Sequence, residues 1–200
     1  MIIGIVGRAR VGKDVFSELL AEELFKVSKK KFVLMAYAHE LKLRIQKDFD
    51  LSYDQLWGDE KEIEDKRYPN GNSFWTPREI MQFIGTECMR VVDDNFWVKA
   101  LFRKIDENEY KNVILTDVRF PNEAQPIIDR SGYVIKVTSN RDGKTKVHGD
   151  DHPSETSMDN YDKVDFHVRN DGSLGDLRDI AKQVVSFLIK SEKMRKKFGG

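Results

Sequence analysis

Short apolar runs of strand length alternate with amphipathic segments of helical period along most of the chain. Strands are predicted at 2–6, 32–38, 113–120, 133–139 and 164–170. Helices are predicted at 13–28, 39–49, 76–92, 95–108, 121–130 and 174–191. Because buried strands separated by helices pack as a parallel sheet with helices on both faces, the pattern predicts a three-layer α/β/α fold. We expect a five-stranded, mostly parallel sheet.

Two stretches depart from this alternation. Residues 50–76 carry many acids and a Pro-Asn-Gly turn, which predicts a surface excursion with short helices. The next helix is expected to begin after Thr76, because Pro77 and Glu79 complete a capping box. The polar stretch 140–153, rich in Gly and Asp, predicts a loop or a small lid. We expect a single domain over 1–200, with a helical acceptor-binding insert at about 38–100 and the lid at about 140–153.

The charges of the chain balance, since 34 basic side chains face 34 acidic ones. This balance gives no reason to expect nonspecific attraction to nucleic acid or to an acidic membrane. Cys88 is the one cysteine, so an internal disulfide is excluded and a reducing compartment fits. We expect a cytoplasmic protein with small-molecule substrates, either a monomer or a homodimer.

Residues 7–14 read G-x-x-x-x-G-K-D between the first predicted strand and the first predicted helix. This order is typical of a phosphate-binding P-loop, in which glycines let the backbone N–H groups face an anion at a helix N-terminus. A plain tight turn is the alternative, and the strand and helix on either side disfavour it. We expect these residues to bind ATP: Gly7, Arg8, Ala9, Arg10, Val11, Gly12, Lys13, Asp14 and Val15.

Two acids are candidates for the reaction centre. Asp14 stands where a P-loop usually has Ser or Thr, and its carboxylate can hold Mg²⁺, because this cation takes oxygen ligands. A first-turn acid that favours the helix dipole is the alternative. Asp117 ends the 113–120 strand beside the P-loop, where it can organise metal-bound water or an acceptor oxygen, or cap a helix or turn.

Three arginines fall beside elements that are predicted at the same edge of the sheet: Arg78, Arg90 and Arg119. Phosphoryl transfer needs positive charge on the moving group, and the planar guanidinium suits phosphate oxygens. Each arginine alone is also compatible with a solvated surface position. No N-K-x-D element is present to read guanine, which disfavours a GTPase-like switch.

Several motifs together resemble the bacteriophage deoxynucleoside monophosphate kinases. They are GRARVGKD at 7–14, WTPREIMQFIGTE-x-x-R at 75–90, FWV at 96–98, TDVRFPNEA at 116–124, HPSE at 152–155 and NDGSLGDL at 170–177. The resemblance spans nearly the whole chain. It implies an adenylate-kinase-like fold and transfer of the ATP γ-phosphate to a deoxynucleoside monophosphate, with magnesium.

The same resemblance implies roles for individual residues. Lys13, Asp117 and Arg119 would be catalytic, Asp14 would hold the metal, and Asn170 to Gly172 would cradle the donor adenine. The acceptor site would contain Arg78, Gln82, Gly85, Thr86, Arg90, Trp97 and Glu123. The residue types fit, because an amide can pair with a base edge and an indole can stack on it. Equally, Trp97 fits a core aromatic, Gln82 an exposed helix residue and Gly85 close helix packing.

One position departs from the family pattern. Val15 stands where the family commonly has threonine, which removes a hydroxyl near the α-phosphate of the donor. Two other functions stay open: a kinase for another small phosphate such as phosphomevalonate, and an ATP-dependent nucleic-acid or assembly module. The aromatic residues and Gln82 favour an acceptor that carries a base.

Overall fold

The computed structural model describes residues 1–140 and 151–198, and a five-stranded sheet runs through its centre. The strands are β1 (Ile2–Val6), β2 (Val33–Met35), β3 (Pro69–Asn70), β4 (Ser73–Phe74), β5 (Val113–Val118), β6 (Tyr133–Thr138) and β7 (Phe166–Arg169). The central sheet has the order β2-β5-β1-β6-β7, and all of its pairings are parallel. Strands β3 and β4 form a separate antiparallel hairpin.

Helices cover both faces of the sheet. They are α1 (Lys13–Ser28), α2 (Tyr37–Asp48), α3 (Tyr53–Leu56), α4 (Pro77–Gln82), α5 (Met89–Val92), α6 (Phe96–Glu107), α7 (Pro121–Asp129), α8 (Pro153–Thr156) and α9 (Leu174–Phe198). Apolar residues of α1 and α9 pack on one face, and those of α2, α6 and α7 pack on the other. The three-layer α/β/α prediction is confirmed, with a sheet that is parallel throughout. Helix α9 continues beyond the predicted end at 191.

Strand β1 shows why the chain folds this way. Its successive side chains alternate between the two faces, so Ile3 and Ile5 enter the core under α1 and α9, whereas Ile2 and Val6 enter the opposite core. All five residues of β1 are buried. An apolar run without polar interruption is therefore what a central parallel strand requires.

Strand β2 differs from its prediction. The sequence predicts a buried strand over 32–38, but the structure has three strand residues at the edge of the sheet, and Leu34 is exposed. An edge strand has one neighbour and less cover. Helix α2 then begins at Tyr37, directly after the strand, so the last residues of the apolar run are helical.

The insert between α2 and α6 is built from short pieces. Its α3 and α4 begin with capping boxes, formed by Ser52 with Gln55 and by Thr76 with Glu79, and the second of these confirms the predicted helix start. The predicted continuous helix over 76–92 is wrong in its middle, where residues Phe83–Cys88 are π-helical. Such segments widen the helix and are frequent beside functional sites. A 3₁₀ turn occupies Glu60–Glu62.

Within residues 1–140 and 151–198, no helix is long and apolar enough to cross a membrane.

Candidate active site

A cavity of about 670 Å³ opens at the carboxyl-terminal edge of the sheet. The P-loop, the end of β5, the start of α2 and the segment after residue 150 all border it. Open α/β sheets bind ligands at this edge, because the loops that follow parallel strands converge there. Of the predicted site residues, it is lined by Ala9, Arg10, Lys13, Asp14, Arg78, Gln82, Gly85, Thr86, Arg90, Trp97, Asp117, Arg119 and Glu123.

The Asn170 side chain supports the backbone of the P-loop. Gly12 has a left-handed φ of 89°, and a Cβ at this position would collide with the Asn170 side chain. The Asn170 amide donates to the Val11 carbonyl oxygen at 3.0 Å. Arg10 also has a left-handed φ, of 63°, which disfavours a residue with a Cβ. The loop therefore keeps a strained curl, which its surroundings hold in place.

Lys13 is buried at the start of α1, and its ammonium donates to the Arg8 carbonyl oxygen at 2.6 Å. Burial first, and then the nearby Arg119 charge, lower the pKa of Lys13 to about 8. The carboxylates of Glu155, Asp14 and Asp117 oppose this shift. A buried cation with a lowered pKa gains from an incoming anion, as a phosphate-binding lysine should.

The two arginines of the P-loop form ion pairs with acids. Arg8 forms a two-pronged ion pair with Asp159. Arg10 donates to Glu62 at 3.1 Å, and the Arg78 guanidinium donates to the same Glu62 oxygen. Through Arg10 and Arg78, Glu62 thus links the P-loop to the insert.

Asp117 caps helix α2. Its two carboxylate oxygens accept from the backbone N–H groups of Tyr37 and Ala38, at 2.7 and 2.9 Å. The cap is thus one of the two readings that the sequence left open. Each oxygen keeps a further lone pair, and the carboxylate lines the cavity, so the capping role leaves room for a second one.

Arg119 lies against the P-loop through an acid that sequence reasoning missed. One Arg119 N–H donates to a Glu155 oxygen at 2.6 Å, and the backbone N–H of Ala9 donates to the same oxygen at 2.7 Å. Glu155 is buried, and it lies in the HPSE motif on α8. The HPSE motif was one of those that resemble the kinase family, but no neighbouring residue in the sequence indicated what its glutamate would contact.

Glu123 is a buried acid that shapes the loop after β5. Its carboxylate accepts from the backbone N–H groups of Arg119 and Phe120, at 2.7 and 3.2 Å. Burial raises the pKa of Glu123 to about 8, against the effect of these bonds. Arg90 lies within 3.5 Å of this carboxylate and stacks on the Phe120 ring, with 3.7 Å between the guanidinium carbon and the ring centroid.

Two predicted acceptor residues have structural contacts. The Trp97 indole N–H donates to the Gly85 carbonyl oxygen at 2.9 Å, and the ring is buried in the core beneath α2. A Cβ on Gly85 would lie 2.8 Å from a Leu41 methyl group, so the glycine permits close packing of the π-helical segment on α2. Both residues nonetheless line the cavity.

Gln82 points to a ligand more directly. Its side-chain Nε2 is buried, and among residues 1–140 and 151–198 it has no hydrogen-bond partner. A buried donor without a partner carries a free-energy cost of about 1–3 kcal/mol. Because Gln82 lines the cavity, an acceptor atom on a bound molecule would remove that cost.

Two lysines of the cavity were missed. Burial lowers the pKa of Lys42, and the Lys61 charge lowers it further. Burial also lowers the pKa of Lys61, with the Arg78 charge as the next cause. Lys42 could have been inferred, because it lies in the first turns of a helix predicted to start at the ligand edge. Lys61 lies in the irregular acidic stretch, where no periodicity indicated its direction.

The remaining predicted residues lie outside the cavity lining. Gly7, Val11 and Gly12 belong to the P-loop but do not line the cavity, and Val15 is 44% exposed on α1. Gly172 packs against Asp176 at the start of α9. Most of the lid predicted at about 140–153 falls in 141–150, outside the described residues.

Comparison with known proteins decides the family. A model described as deoxynucleotide monophosphate kinase matches residues 40–180. The chain belongs to this family. A putative deoxynucleotide monophosphate kinase of Acanthamoeba polyphaga mimivirus is 28% identical over 210 residues, covering 97% of this chain and 99% of the relative. The deoxynucleoside-5'-monophosphate kinase of Escherichia phage T5 is 31% identical over 91 residues, covering 42% of this chain and 36% of the relative.

Among solved structures, a shikimate kinase from Aquifex aeolicus matches with a TM-score of 0.48 and 15% identity, covering 96% of this chain and 98% of that one. The protein is a phosphotransferase of nucleotide metabolism, since its family is one of nucleotide kinases. The family match begins after the P-loop, at residue 40. The P-loop sequence and geometry are therefore an independent indication of the same chemistry.

Proposed function

We propose that the protein transfers the γ-phosphate of ATP to a deoxynucleoside monophosphate, giving ADP and the deoxynucleoside diphosphate. One observation carries the proposal: a single cavity joins the P-loop, at one end, to a wall that combines cations, aromatic rings and a partnerless buried amide. Two anionic nucleotides can meet in such a cavity with their phosphates adjacent. Membership in the deoxynucleotide monophosphate kinase family supports this choice of acceptor.

The donor phosphates would lie on the P-loop. The backbone N–H groups around Gly12 and the N-terminal end of α1 favour an anion there. Lys13 would exchange its bond to the Arg8 carbonyl for the outer phosphates, which compensate its burial better than a neutral carbonyl does. Asn170 would support the donor site from behind the loop by keeping Gly12 and Val11 in place.

The acceptor phosphate would lie between Lys42, Lys61 and Arg78. Besides burial, the Lys61 and Arg78 charges lower the pKa of Lys42, and the Arg78 charge lowers the pKa of Lys61, because like charges are held close in a partly buried place. A dianionic phosphate reverses that repulsion. Arg78 is at present held by Glu62, so acceptor binding would compete with this ion pair for the guanidinium.

The base of the acceptor would be recognised by Gln82. Its partnerless Nε2 can donate to a carbonyl or ring nitrogen of a base. Thr86 lies one turn further along the same wall, and the Trp97 ring lies behind it in the core. Trp57, which stacks on Tyr53 with 5.2 Å between ring centroids, offers an aromatic surface in the same cavity.

Catalysis would rest on position and charge. An acceptor phosphate oxygen is already a competent nucleophile near neutral pH, so the reaction needs no strong general base. Lys13 and Arg119 would stabilise the charge on the group in transfer. Asp117 would keep the start of α2 fixed against the end of β5, and would present its remaining lone pairs to the reaction centre.

Magnesium fits this site as a phosphate-bound ion. Asp14 is exposed in the first turn of α1 and lines the cavity, whereas residues 1–140 and 151–198 hold no cluster of three or more metal-ligating side chains. Mg²⁺ commonly takes one or two carboxylates and completes its shell with phosphates and water. Asp14 would hold such an ion, which supplies neutralising charge on the outer phosphates.

A panel assay tests the proposal. ADP release is measured with ATP and Mg²⁺ in the presence of each deoxynucleoside monophosphate, each ribonucleoside monophosphate, phosphomevalonate or single-stranded DNA. We expect turnover with at least one deoxynucleoside monophosphate and none that depends on phosphomevalonate or DNA. Turnover with phosphomevalonate alone, or stimulation by DNA alone, would replace the proposal with one of the two other functions.

Three further properties belong to the proposal. We propose that substrates are small molecules rather than nucleic acid, that the protein works in the cytoplasm, and that the oligomer, if one forms, is a homodimer. The two viral relatives are compatible with action in the cytoplasm of an infected cell. Light scattering with in-line size separation would distinguish monomer from dimer.

A further inference from the structure

One oxygen of Glu155 accepts hydrogen bonds from two different elements that border the cavity. The Ala9 backbone N–H reaches it from the P-loop at 2.7 Å, and an Arg119 N–H reaches it from the end of β5 at 2.6 Å. The positions along the chain are 146 and 36 residues apart, so no local element imposes this meeting. Glu155 is 8% exposed, so the contact is largely shielded from solvent.

Only part of the Arg119 guanidinium group is hydrogen-bonded within the described residues. The Arg119 Nη1 group donates to the Glu155 carboxylate and reaches the Ser154 carbonyl oxygen at 3.5 Å. Its Nε and Nη2 groups have no hydrogen-bond partner among residues 1–140 and 151–198. Since Arg119 lines the cavity, one arm of the guanidinium is anchored while the other is available to a phosphate.

Glu155 cannot withdraw freely, because the segment that carries it is fixed at several points. We call residues 152–159 the strap. Met158 is buried in the core beneath α2, and the Lys136 ammonium donates to the Met158 and Asp159 carbonyl oxygens at 2.8 and 2.6 Å. Asp159 pairs with Arg8 of the P-loop, and the His152 ring contacts Glu87 of the π-helical segment at 2.7 Å.

We propose that Glu155 is a positioning residue for phosphoryl transfer, which holds the Arg119 guanidinium at a fixed distance from the P-loop backbone at Ala9. The inference rests on the proposed kinase reaction and adds a residue to it. Glu155 acts through Arg119: it orients the fork before substrate binds, so that less rotational freedom is lost when the transition state forms. The strap thereby becomes part of the reaction centre.

A different role would give a different result. If Glu155 only filled the place of a phosphate oxygen until ATP arrives, it would compete with ATP for the Ala9 amide and Arg119. Removal of its charge would then tighten ATP binding and leave turnover unchanged. A positioning role makes the opposite prediction, because the donors lose their alignment whereas most phosphate contacts stay.

The experiment compares Glu155→Gln with a matched control, Glu22→Gln, which breaks a surface ion pair with Arg178 far from the cavity. Steady-state kcat and both KM values are measured with the best acceptor from the panel. For Glu155→Gln we expect kcat to fall about 10- to 100-fold and KM for ATP to change by less than about threefold. For Glu22→Gln we expect wild-type values.

A double-mutant cycle tests whether Glu155 acts through Arg119. In an Arg119→Ala background, Glu155→Gln should lower kcat by less than about threefold further, since its target is absent. Full additivity in this background would overturn the positioning role, as would wild-type turnover or a lower KM for ATP in the single variant. Thermal unfolding of each variant shows whether any loss comes from unfolding instead.

A measurement without turnover separates this inference from the proposed function. The Ala9 amide proton, observed by NMR in the nucleotide-free protein, should move upfield in Glu155→Gln and stay in place in Glu22→Gln, because it loses a charged acceptor. An unmoved Ala9 signal in Glu155→Gln would overturn the inference. A chain that phosphorylates no nucleotide would defeat the proposed function, and the Ala9 signal would still decide whether Glu155 holds the P-loop.

Discussion

The two ends of the cavity are built on different principles. At the proposed donor end, backbone groups would do most of the binding: the P-loop curls at Gly12, the Asn170 amide donates to the Val11 carbonyl oxygen, and the Lys13 ammonium donates to the Arg8 carbonyl oxygen. At the proposed acceptor end, side chains would do most of it, and the Lys61 charge lies close enough to Lys42 to lower the pKa of Lys42, in addition to the effect of burial. A site built from backbone N–H groups suits a polyphosphate that is common to many reactions. A site built from side chains can differ between proteins through substitutions, so it can be matched to each acceptor.

The largest expected effect is at the donor end. Lys13→Ala should lower kcat/KM by about 10³-fold or more, because a preorganised cation on the moving phosphoryl group is lost. The fold should survive, since a buried charge with a lowered pKa is removed rather than introduced. The measurement is ADP release, with circular dichroism as the check on folding. Lys26→Ala on the exposed end of α1 is the control; retained turnover in Lys13→Ala would refute the donor assignment.

The same substitution at two glycines compares the two ends directly. Gly12→Ala forces a Cβ into a left-handed backbone and against Asn170, and should cost about 1–3 kcal/mol of stability together with most ATP binding. Gly85→Ala meets the end of the Leu41 side chain, which can shift, so we expect a loss of about 1 kcal/mol or less. Urea unfolding measures both. Equal costs would mean that the P-loop curl is less constrained than its geometry indicates.

A charge removed from the acceptor wall should separate the two substrates. Lys61→Met keeps most of the apolar stem and removes the ammonium, so KM for the monophosphate should rise about 10-fold and KM for ATP should stay within about twofold. Lys163→Met, in the loop before β7, is the matched control. A rise in KM for ATP alone would place Lys61 at the donor end.

The smallest effect concerns pH. Burial raises the pKa of Glu123 to about 8, so the folded protein holds this proton more tightly than the unfolded chain does. The resulting stability is complete below the unfolded pKa, near 4.5, and is lost as the pH rises through about 8. Glu123→Gln mimics the protonated form. Between about pH 6 and about pH 7, the Tm of Glu123→Gln should therefore rise relative to the wild-type Tm by roughly 2–4 °C, for a difference of about 1 kcal/mol. A constant difference across this range would show that Glu123 is ionised throughout.

The donor end could be predicted from sequence because its parts are adjacent in the chain. Strand β1, the glycine loop and α1 follow one another within residues 2–28, and each has a local signal. The capping box of Thr76 and Glu79 is local in the same way, and it was predicted correctly. Asp117 could be predicted at the cavity because it lies near the end of a buried strand, and the carboxyl ends of parallel strands meet at one edge of the sheet. That prediction depends on sheet topology and needs no knowledge of individual side-chain contacts.

The acceptor end, and the contacts that tie the P-loop to distant segments, were predictable only in part, because these contacts join positions far apart in the chain. The meeting of Glu155 with Ala9, the link from Glu62 to Arg10 and Arg78, and the inward direction of Lys61 depend on how the insert folds back onto the sheet. The spacing of apolar residues along the chain does not indicate contacts between segments that are so far apart in sequence. The π-helical segment was missed for a related reason, since its apolar spacing differs little from that of an α-helix.

The cap that Asp117 places on α2 has a mechanical consequence. The first residues of this helix are pinned to the sheet, while Lys42 lies further along it. A helix that is fixed at its N-terminus can rotate only about that end. If the acceptor wall swings inward around its substrate, the fulcrum lies beside the reacting phosphates, so the distance across which the bond must form would vary far less than the width of the entrance.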